Sequence, residues 1–276
     1  MKCKLVADSS ANLLELEGAD FAVASLKILV GNREFVDDRN VDIPEMLQAL
    51  KQHKGPSSTA CPSVQDWLDA FGDADMVFGT AITSGLSGCF GAAQIAAQTY
   101  EEEHPGRKVF ILDSLSTGPE MELLLEKYQE LIREEGDFDR ICQQIQAYSQ
   151  KTRLLFCLES LENFAKNGRV NPLVAKAVGL LGVRVIGKAS DKGTLQPLHK
   201  VRGQKKAFAQ LLKTMKEEGY RGGKIRICHT LNPEGALNLS QAIRQTYPDA
   251  QISIRENRAL CAYYAETGGI LIGMEV

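Results

Sequence analysis

Two serines set among glycines in Ile82-Thr83-Ser84-Gly85-Leu86-Ser87-Gly88-Cys89-Phe90-Gly91 carry the clearest chemical signal in this chain. The stretch follows a compact apolar run, Met76 to Ala81, that reads as a buried strand, and it leads into Ala92 to Gln98, which reads as the body of a helix. A strand that delivers a small-residue turn to a helix start leaves unpaired backbone N–H groups facing outward. The helix dipole adds partial positive charge there, so a carboxylate or phosphate is favoured. Gly85 and Gly88 let backbone approach a ligand, and the Ser84 and Ser87 hydroxyls can donate to an anion. Helix capping by either serine is the simpler account of the same residues.

Much other chemistry is excluded. There is no Walker loop, no Gly-x-Ser-x-Gly elbow and no Gly-x-Gly-x-x-Gly fingerprint. The four histidines (His53, His104, His199 and His229) lie far apart, so neither a metal pair nor a base beside Ser84 or Ser87 is expected. The seven cysteines form no Cys-x-x-Cys pair, which argues against a zinc site or a disulfide framework. No metal and no cofactor is called for. A net charge of −3 gives no footprint for nucleic acid, and no apolar run reaches membrane-spanning length. The N-terminal residues pass straight into strand-like sequence without a cleavable signal, and a reduced, cytoplasmic protein is the expectation.

The elements that must position the serines recur along the first half. Lys4–Ala7, Met76–Ala81 and Val109–Leu112 are short apolar strands, each ending in a small-polar loop ahead of a helix. That alternation predicts a parallel α/β sheet, whose ligands sit beyond the carboxyl ends of the strands. Ser9, Ser10, Asp113 and Ser114 should therefore share one rim with Ser84. Phe21–Val30 and Arg33–Val36 read as further strands, Asp42 to about His53 as a helix, and Ser57–Ser63 as a polar loop. Ser63 and Asp66 have capping-box spacing. Helices are expected over Pro119–Arg133 and Phe138–Ser149.

The character changes near Lys151. A strand over Leu154–Leu158, a short helix stopped at Asn167-Gly168, an apolar helix over 172–181 and a hairpin of Val183–Lys188 with Thr194–Lys200 follow. A helix over Gly203–Glu218, a strand at Lys224–His229, a helix at Glu234–Thr246, a strand at Gln251–Arg255 and a Gly-rich strand over 268–273 complete the chain. Two α/β domains are expected, 1–151 with a mainly parallel sheet and 152–276. Arg169, directly after the Gly168 stop, either pairs with a surface carboxylate or grips an anion with its guanidinium fork. Spacing alone gives no reading for Tyr263, Tyr264 and Glu266.

An ordered set of motifs resembles the DegV family of bacterial fatty-acid-binding proteins. These are Val6-Ala7-Asp8-Ser9-Ser10, Thr59-Ala60-Cys61-Pro62-Ser63, Thr83-Ser84-Gly85-Leu86-Ser87-Gly88, Leu112-Asp113-Ser114, Asn167-Gly168-Arg169-Val170 and Val201-Arg202-Gly203. The resemblance implies a non-catalytic two-domain protein that holds one long-chain fatty acid between its domains. The family's carboxylate-binding hydroxyls map onto Thr59 and the Ser84–Gly88 turn, and its arginine onto Arg169. Some members are the acyl-carrying subunit of a fatty acid kinase and present the carboxylate to a separate ATP-binding partner. Where many members carry a His-x-Gly-Pro-Gly segment, this chain has Ala262 to Gly269, in which the Tyr263 hydroxyl is the candidate replacement. The full set of expected ligand residues is thus Thr59, Ser84, Ser87, Gly88, Arg169, Ser9, Ser114 and Tyr263. The competing function is an enzyme acting on a small phosphorylated or acyl-phosphate substrate, with Asp8 or Asp113 in acid–base or metal roles. A regulatory protein that reports lipid status is a third.

Overall fold

The computed structural model describes residues 2–176 and 182–276. Its first sheet is four-stranded and parallel. The contributing elements in chain order are β1 (Cys3–Asp8), β2 (Phe21–Ala24), β3 (Lys27–Val30), β4 (Arg33–Val36), α1 (Ile43–Gln52), β5 (Ser57–Ala60), α2 (Val64–Phe71), β6 (Met76–Ala81), α3 (Cys89–Glu103), β7 (Lys108–Asp113), α4 (Pro119–Glu134) and α5 (Phe138–Ser149). The parallel order is β2-β1-β6-β7. All six residues of β6 are buried, as a strand covered on both faces by helices requires. The capping box forms as its spacing predicts: Asp66 N–H donates to the Ser63 hydroxyl and Ser63 N–H to the Asp66 carboxylate.

Two expectations for this half need correction. The run 21–30 is two strands in two different sheets, because the chain turns at Ser25-Leu26, where Leu26 N–H donates to the Ser9 hydroxyl at 3.0 Å. The polar segment 57–63 is not all loop either. Its first four residues form β5, which pairs with β3 in a second, antiparallel sheet of order β4-β3-β5.

The second half contains β8 (Thr152–Leu158), α6 (Glu162–Lys166), α7 (Pro172–Lys176), β9 (Val183–Ala189), β10 (Leu195–Arg202), α8 (Gln204–Glu217), β11 (Lys224–His229), α9 (Pro233–Thr246), β12 (Gln251–Glu256), α10 (Ala259–Ala265) and β13 (Ile270–Glu275). Of the apolar helix expected over 172–181, α7 is present, and 177–181 lie outside the described residues. The strands form one six-stranded sheet, β10-β9-β8-β13-β11-β12. The predicted hairpin is β9–β10, antiparallel, with a register shift between Pro197 and His199.

The halves meet along α4. Glu122, Glu126 and Glu130, one helical turn apart, receive Arg255, Arg226 and Lys224 from the second sheet. Buried Glu120 accepts the Thr152 hydroxyl at 2.7 Å. Gly273 of β13 lets the start of α4 lie directly on the sheet: a Cβ there would collide with the backbone of Pro119 and Glu120.

Helix α10, which no periodicity announced, is pinned by Asp37. That buried carboxylate accepts the N–H groups of Ala259 (3.1 Å) and Leu260 (3.0 Å), and the Arg258 guanidinium lies 3.3 Å away. The small sheet and α1 then pack Ile28, Phe35 and Met46 against Ala259, Ala262 and Tyr263 of α10. Asp37→Ala leaves these buried donors and Arg258 without their acceptor. It should lower stability by about 3–5 kcal/mol, read as a reduced urea midpoint in equilibrium unfolding.

Candidate functional site

The loop between β6 and α3 is fixed from three directions. Ile82 N–H donates to buried Asp8 at 2.7 Å, Ser84 N–H donates to Asp113 at 3.1 Å, and Thr83 N–H donates to the Ser116 carbonyl at 2.9 Å. The Thr83 hydroxyl crosses to the second half and donates to the Gly193 carbonyl at 2.8 Å, in the β9–β10 turn. Gly193 has φ +67°, and a side chain there would run into Thr83 and Leu115. Glycine is required at this contact both by backbone conformation and by space.

Behind this loop, between the halves, lies a cavity of about 910 Å³ including its open mouth. Its walls are apolar: Leu26, Ile82 and Leu115 from the first half, and Leu154, Phe156, Leu158, Leu195 and Leu271 from the second. The polar lining includes Thr59 after β5's midpoint, Cys61, Ser87 at the entry to α3, Arg169 after α6 and Tyr264 on α10. Thr59 Oγ1 and the Tyr264 hydroxyl are 3.1 Å apart, and Phe164 packs on Tyr264 with ring centroids 4.8 Å apart and planes tilted by 36°. Arg169 donates through Nε to the Leu86 carbonyl and through Nη1 to the Asn167 carbonyl at 2.7 Å, which holds the guanidinium over the site loop. A largely apolar molecule carrying a polar or anionic group matches this lining.

Of the residues expected from sequence, Thr59, Ser87 and Arg169 line the cavity. The other five do not. Ser9 is buried and its hydroxyl accepts from Leu26 N–H; Ser114 spends its hydroxyl on the Ser116 backbone in a tight turn. Ser84 is exposed, because the loop turns so that Thr83 and Leu86 face inward. Gly88 is the N-cap of α3, and its backbone N–H serves the Cys61 sulfur. Tyr263 is fully buried, with its hydroxyl shared between Ser57 (2.8 Å) and Asn167 (2.7 Å). It is Tyr264, one residue on, that reaches the cavity. Sequence reasoning also missed Thr83, Leu86 and, as a site residue, Cys61. Cys61 follows directly on β5, two residues after Thr59, and its place in the motif Thr59-Ala60-Cys61 was the one signal for it.

Electrostatics single out two groups. Burial raises Asp8 to about 6, although Ser10 and the Ile82 and Ser10 N–H groups pull the other way. Cys61 is lowered to about 6, first by the Cys89 thiol, then by the Ser87 hydroxyl, Gly88 N–H and Arg169, against a burial effect of opposite sign. Asp8 and Asp113 both hold backbone N–H groups, and neither lines the cavity. The Glu266 carboxylate accepts Asn163 N–H at 3.1 Å and also stays out of the lining. Among the described residues no group of three or more metal-ligating side chains occurs, and no helix is long and apolar enough to cross a membrane.

Residues 2–275 match the sequence model of a family described as uncharacterised DegV proteins. The chain belongs to the DegV family. It is 41% identical over 280 residues to a DegV domain-containing protein of Streptococcus pyogenes serotype M1, with the whole of both chains covered. A crystal structure of a DegV family protein from Eubacterium eligens loaded with heptadecanoic acid superposes with a TM-score of 0.98 at 46% identity, covering 99% of each chain. The fatty acid kinase B3 protein of Streptococcus pneumoniae, loaded with linoleic acid, superposes with a TM-score of 0.98 at 40% identity over all of both chains. The two-domain α/β architecture and the family expected from the motifs thus stand.

Asp8 generates a pH prediction. Its folded value lies above that of an unfolded aspartate, so its protonation stabilises the fold below about pH 4, and this contribution is lost as pH rises through about 6. Asp8→Asn should remove that dependence. The stability difference between wild type and variant, measured by urea unfolding, is expected to shift against the wild type by on the order of 2–3 kcal/mol between pH 4 and 7.

Proposed function

We propose that this DegV chain binds one long-chain fatty acid, its tail in the cavity between the halves and its carboxylate at Thr59, Ser87, Arg169 and Tyr264. The observation that carries the reading is a largely apolar cavity of about 910 Å³ on whose lining Thr59 meets Tyr264 and Ser87 meets Cys61, with Arg169 close to both Cys61 and Tyr264. Relatives at 46% and 40% identity that hold heptadecanoic and linoleic acid support it. Burying an acyl chain contributes roughly 0.8 kcal/mol per CH₂, so the tail supplies most of the affinity and the hydroxyls select for an acid end. The protein performs no chemistry itself. It presents the carboxylate to an ATP-binding kinase partner that makes the acyl phosphate, a role supported by the likeness to the kinase B3 protein. Seven unpaired cysteines suit a reducing compartment, and the cytoplasm is the place this reading assigns.

Protein purified without added lipid should release fatty acid on denaturation, identified by mass spectrometry of the extract. After delipidation, oleate at 100-fold over its Kd should add about 2.7 kcal/mol and raise Tm by several degrees. Empty protein that oleate and palmitate both fail to stabilise overturns the reading. Thr59→Ala should weaken oleate binding by about 1–3 kcal/mol, and Tyr264→Phe by about 1 kcal/mol, while Ser84→Ala leaves it unchanged. Titration calorimetry separates the three.

A further inference from the structure

The cavity wall made by β8 and β9 sets large residues beside small ones. Leu154, Phe156 and Leu158 of β8 line the cavity, and so does Ala189 of β9. Gly187 stands on β9 directly opposite Phe156 and is not part of the lining. The Phe156 ring covers it: a Cβ on Gly187 would collide with ring atoms Cζ and Cε2, and with the Gln196 carbonyl of β10. Gly187 is not among the glycines with positive φ, so space and not backbone conformation calls for glycine here. We propose that Gly187 is a specificity-determining residue: it seats the Phe156 ring clear of the cavity's bore and so admits bent acyl chains that a displaced ring would exclude. The proposal rests on the fatty-acid reading.

The ring has one direction open to it. Phe156 is buried, its β13 neighbour in register is Leu271, and Leu154 and Leu158 flank it on the same face of β8. Val185, Cys261 and Leu195 belong to the same packed cluster. A close-packed interior offers no second seat, so a ring pushed off Gly187 moves toward empty space, which is the cavity.

Phe156 also meets the acyl chain beyond its acid end. β8 ends at Leu158 and leads into α6, whose Phe164 packs on Tyr264. β13 begins at Ile270, opposite Cys157, just after the helix that carries Tyr264. Leu158 therefore marks the polar end, and Phe156 and Leu154 stand successively farther from it in steps of about 7 Å. The ring thus faces methylenes and not the carboxylate. An extended saturated chain is the narrowest acyl shape, whereas a cis double bond bends the chain and needs a wider bore. A misfit of one methylene in an apolar pocket is worth about 10–200-fold, and a shifted ring discriminates on that scale.

Titration calorimetry of delipidated full-length protein with palmitic and palmitoleic acids tests this, because the two are equal in length and differ by one cis double bond. Gly187→Ala should weaken palmitoleate binding about tenfold more than palmitate binding. Phe156→Ala should move the ratio of the two Kd values the other way, in favour of palmitoleate. Gly187→Ala added to Phe156→Ala should leave that ratio where Phe156→Ala alone puts it. Equal weakening of both acids by Gly187→Ala reflects a merely structural role and overturns the proposal. A ratio that shifts by the same factor with the ring absent also overturns it, because the Gln196 carbonyl then carries the effect. Should Gly187→Ala fail to fold, as judged by circular dichroism, Phe156→Ala decides alone, and a ratio unchanged from wild type overturns the proposal. Wild-type protein that binds both acids, with variants that keep its ratio, leaves the fatty-acid reading standing and this inference overturned. Wild-type protein that binds neither acid sinks both.

Discussion

The hydrogen bonds of one buried carboxylate, Asp8, underlie the geometry of the site. Asp8 ends β1 in the middle of the parallel sheet and accepts from Ser10 and from Ile82, the first residue of the loop that borders the cavity. A carboxylate with no exposed surface is costly to desolvate, and burial outweighs its hydrogen bonds to Ser10 and Ile82, raising it to about 6. What it secures is position. Thr83, Leu86 and Ser87 all follow within five residues of the N–H it holds, so the lining they contribute inherits its placement from that one acceptor.

The cavity also needs the two halves to stay in register, and charge supplies much of that. Glu122 is nearly inaccessible, yet it faces Arg255 and Arg226, while Glu126 and Glu130 take Arg226 and Lys224. Removing Arg226 would leave the Glu122 carboxylate away from water with only Arg255 beside it, which makes this part of the seam far less tolerant than an exposed ion pair. At the other end of the interface the contact is steric and neutral: Thr83 to Gly193, with no room for a side chain. The cavity sits between a charged seam and a close-packed contact.

Much of this was legible in the sequence where local rules decide the outcome. Strands β1, β6 and β7, the capped starts of α1 and α2 and the β9–β10 hairpin follow from apolar runs, capping residues and turn residues. The failures occur where tertiary contacts decide. β5 reads as loop because Ser57, Ser58 and Thr59 are polar, and only pairing with β3 makes them a strand. α10 has no amphipathic signature because nearly every residue in it is buried, and Asp37, more than 200 positions earlier, caps it. The rim argument brought Ser9 and Ser114 to the right end of the sheet, but their hydroxyls are consumed by neighbouring backbone. Nothing local separates Tyr263, the expected ligand residue, from Tyr264, which lines the cavity, since which one faces inward depends on the rotation of a helix that the sequence did not announce.

The position of β13 bears on when this protein can work. It is the last strand in chain order, yet it lies between β8 and β11; without it the second sheet falls into a group of three strands and a pair. During synthesis, everything up to residue 269 can emerge and still have no wall for the Leu271 side of the cavity. One strand thus both unites the second sheet and completes the cavity wall, so neither can exist before residues 270–275 are in place.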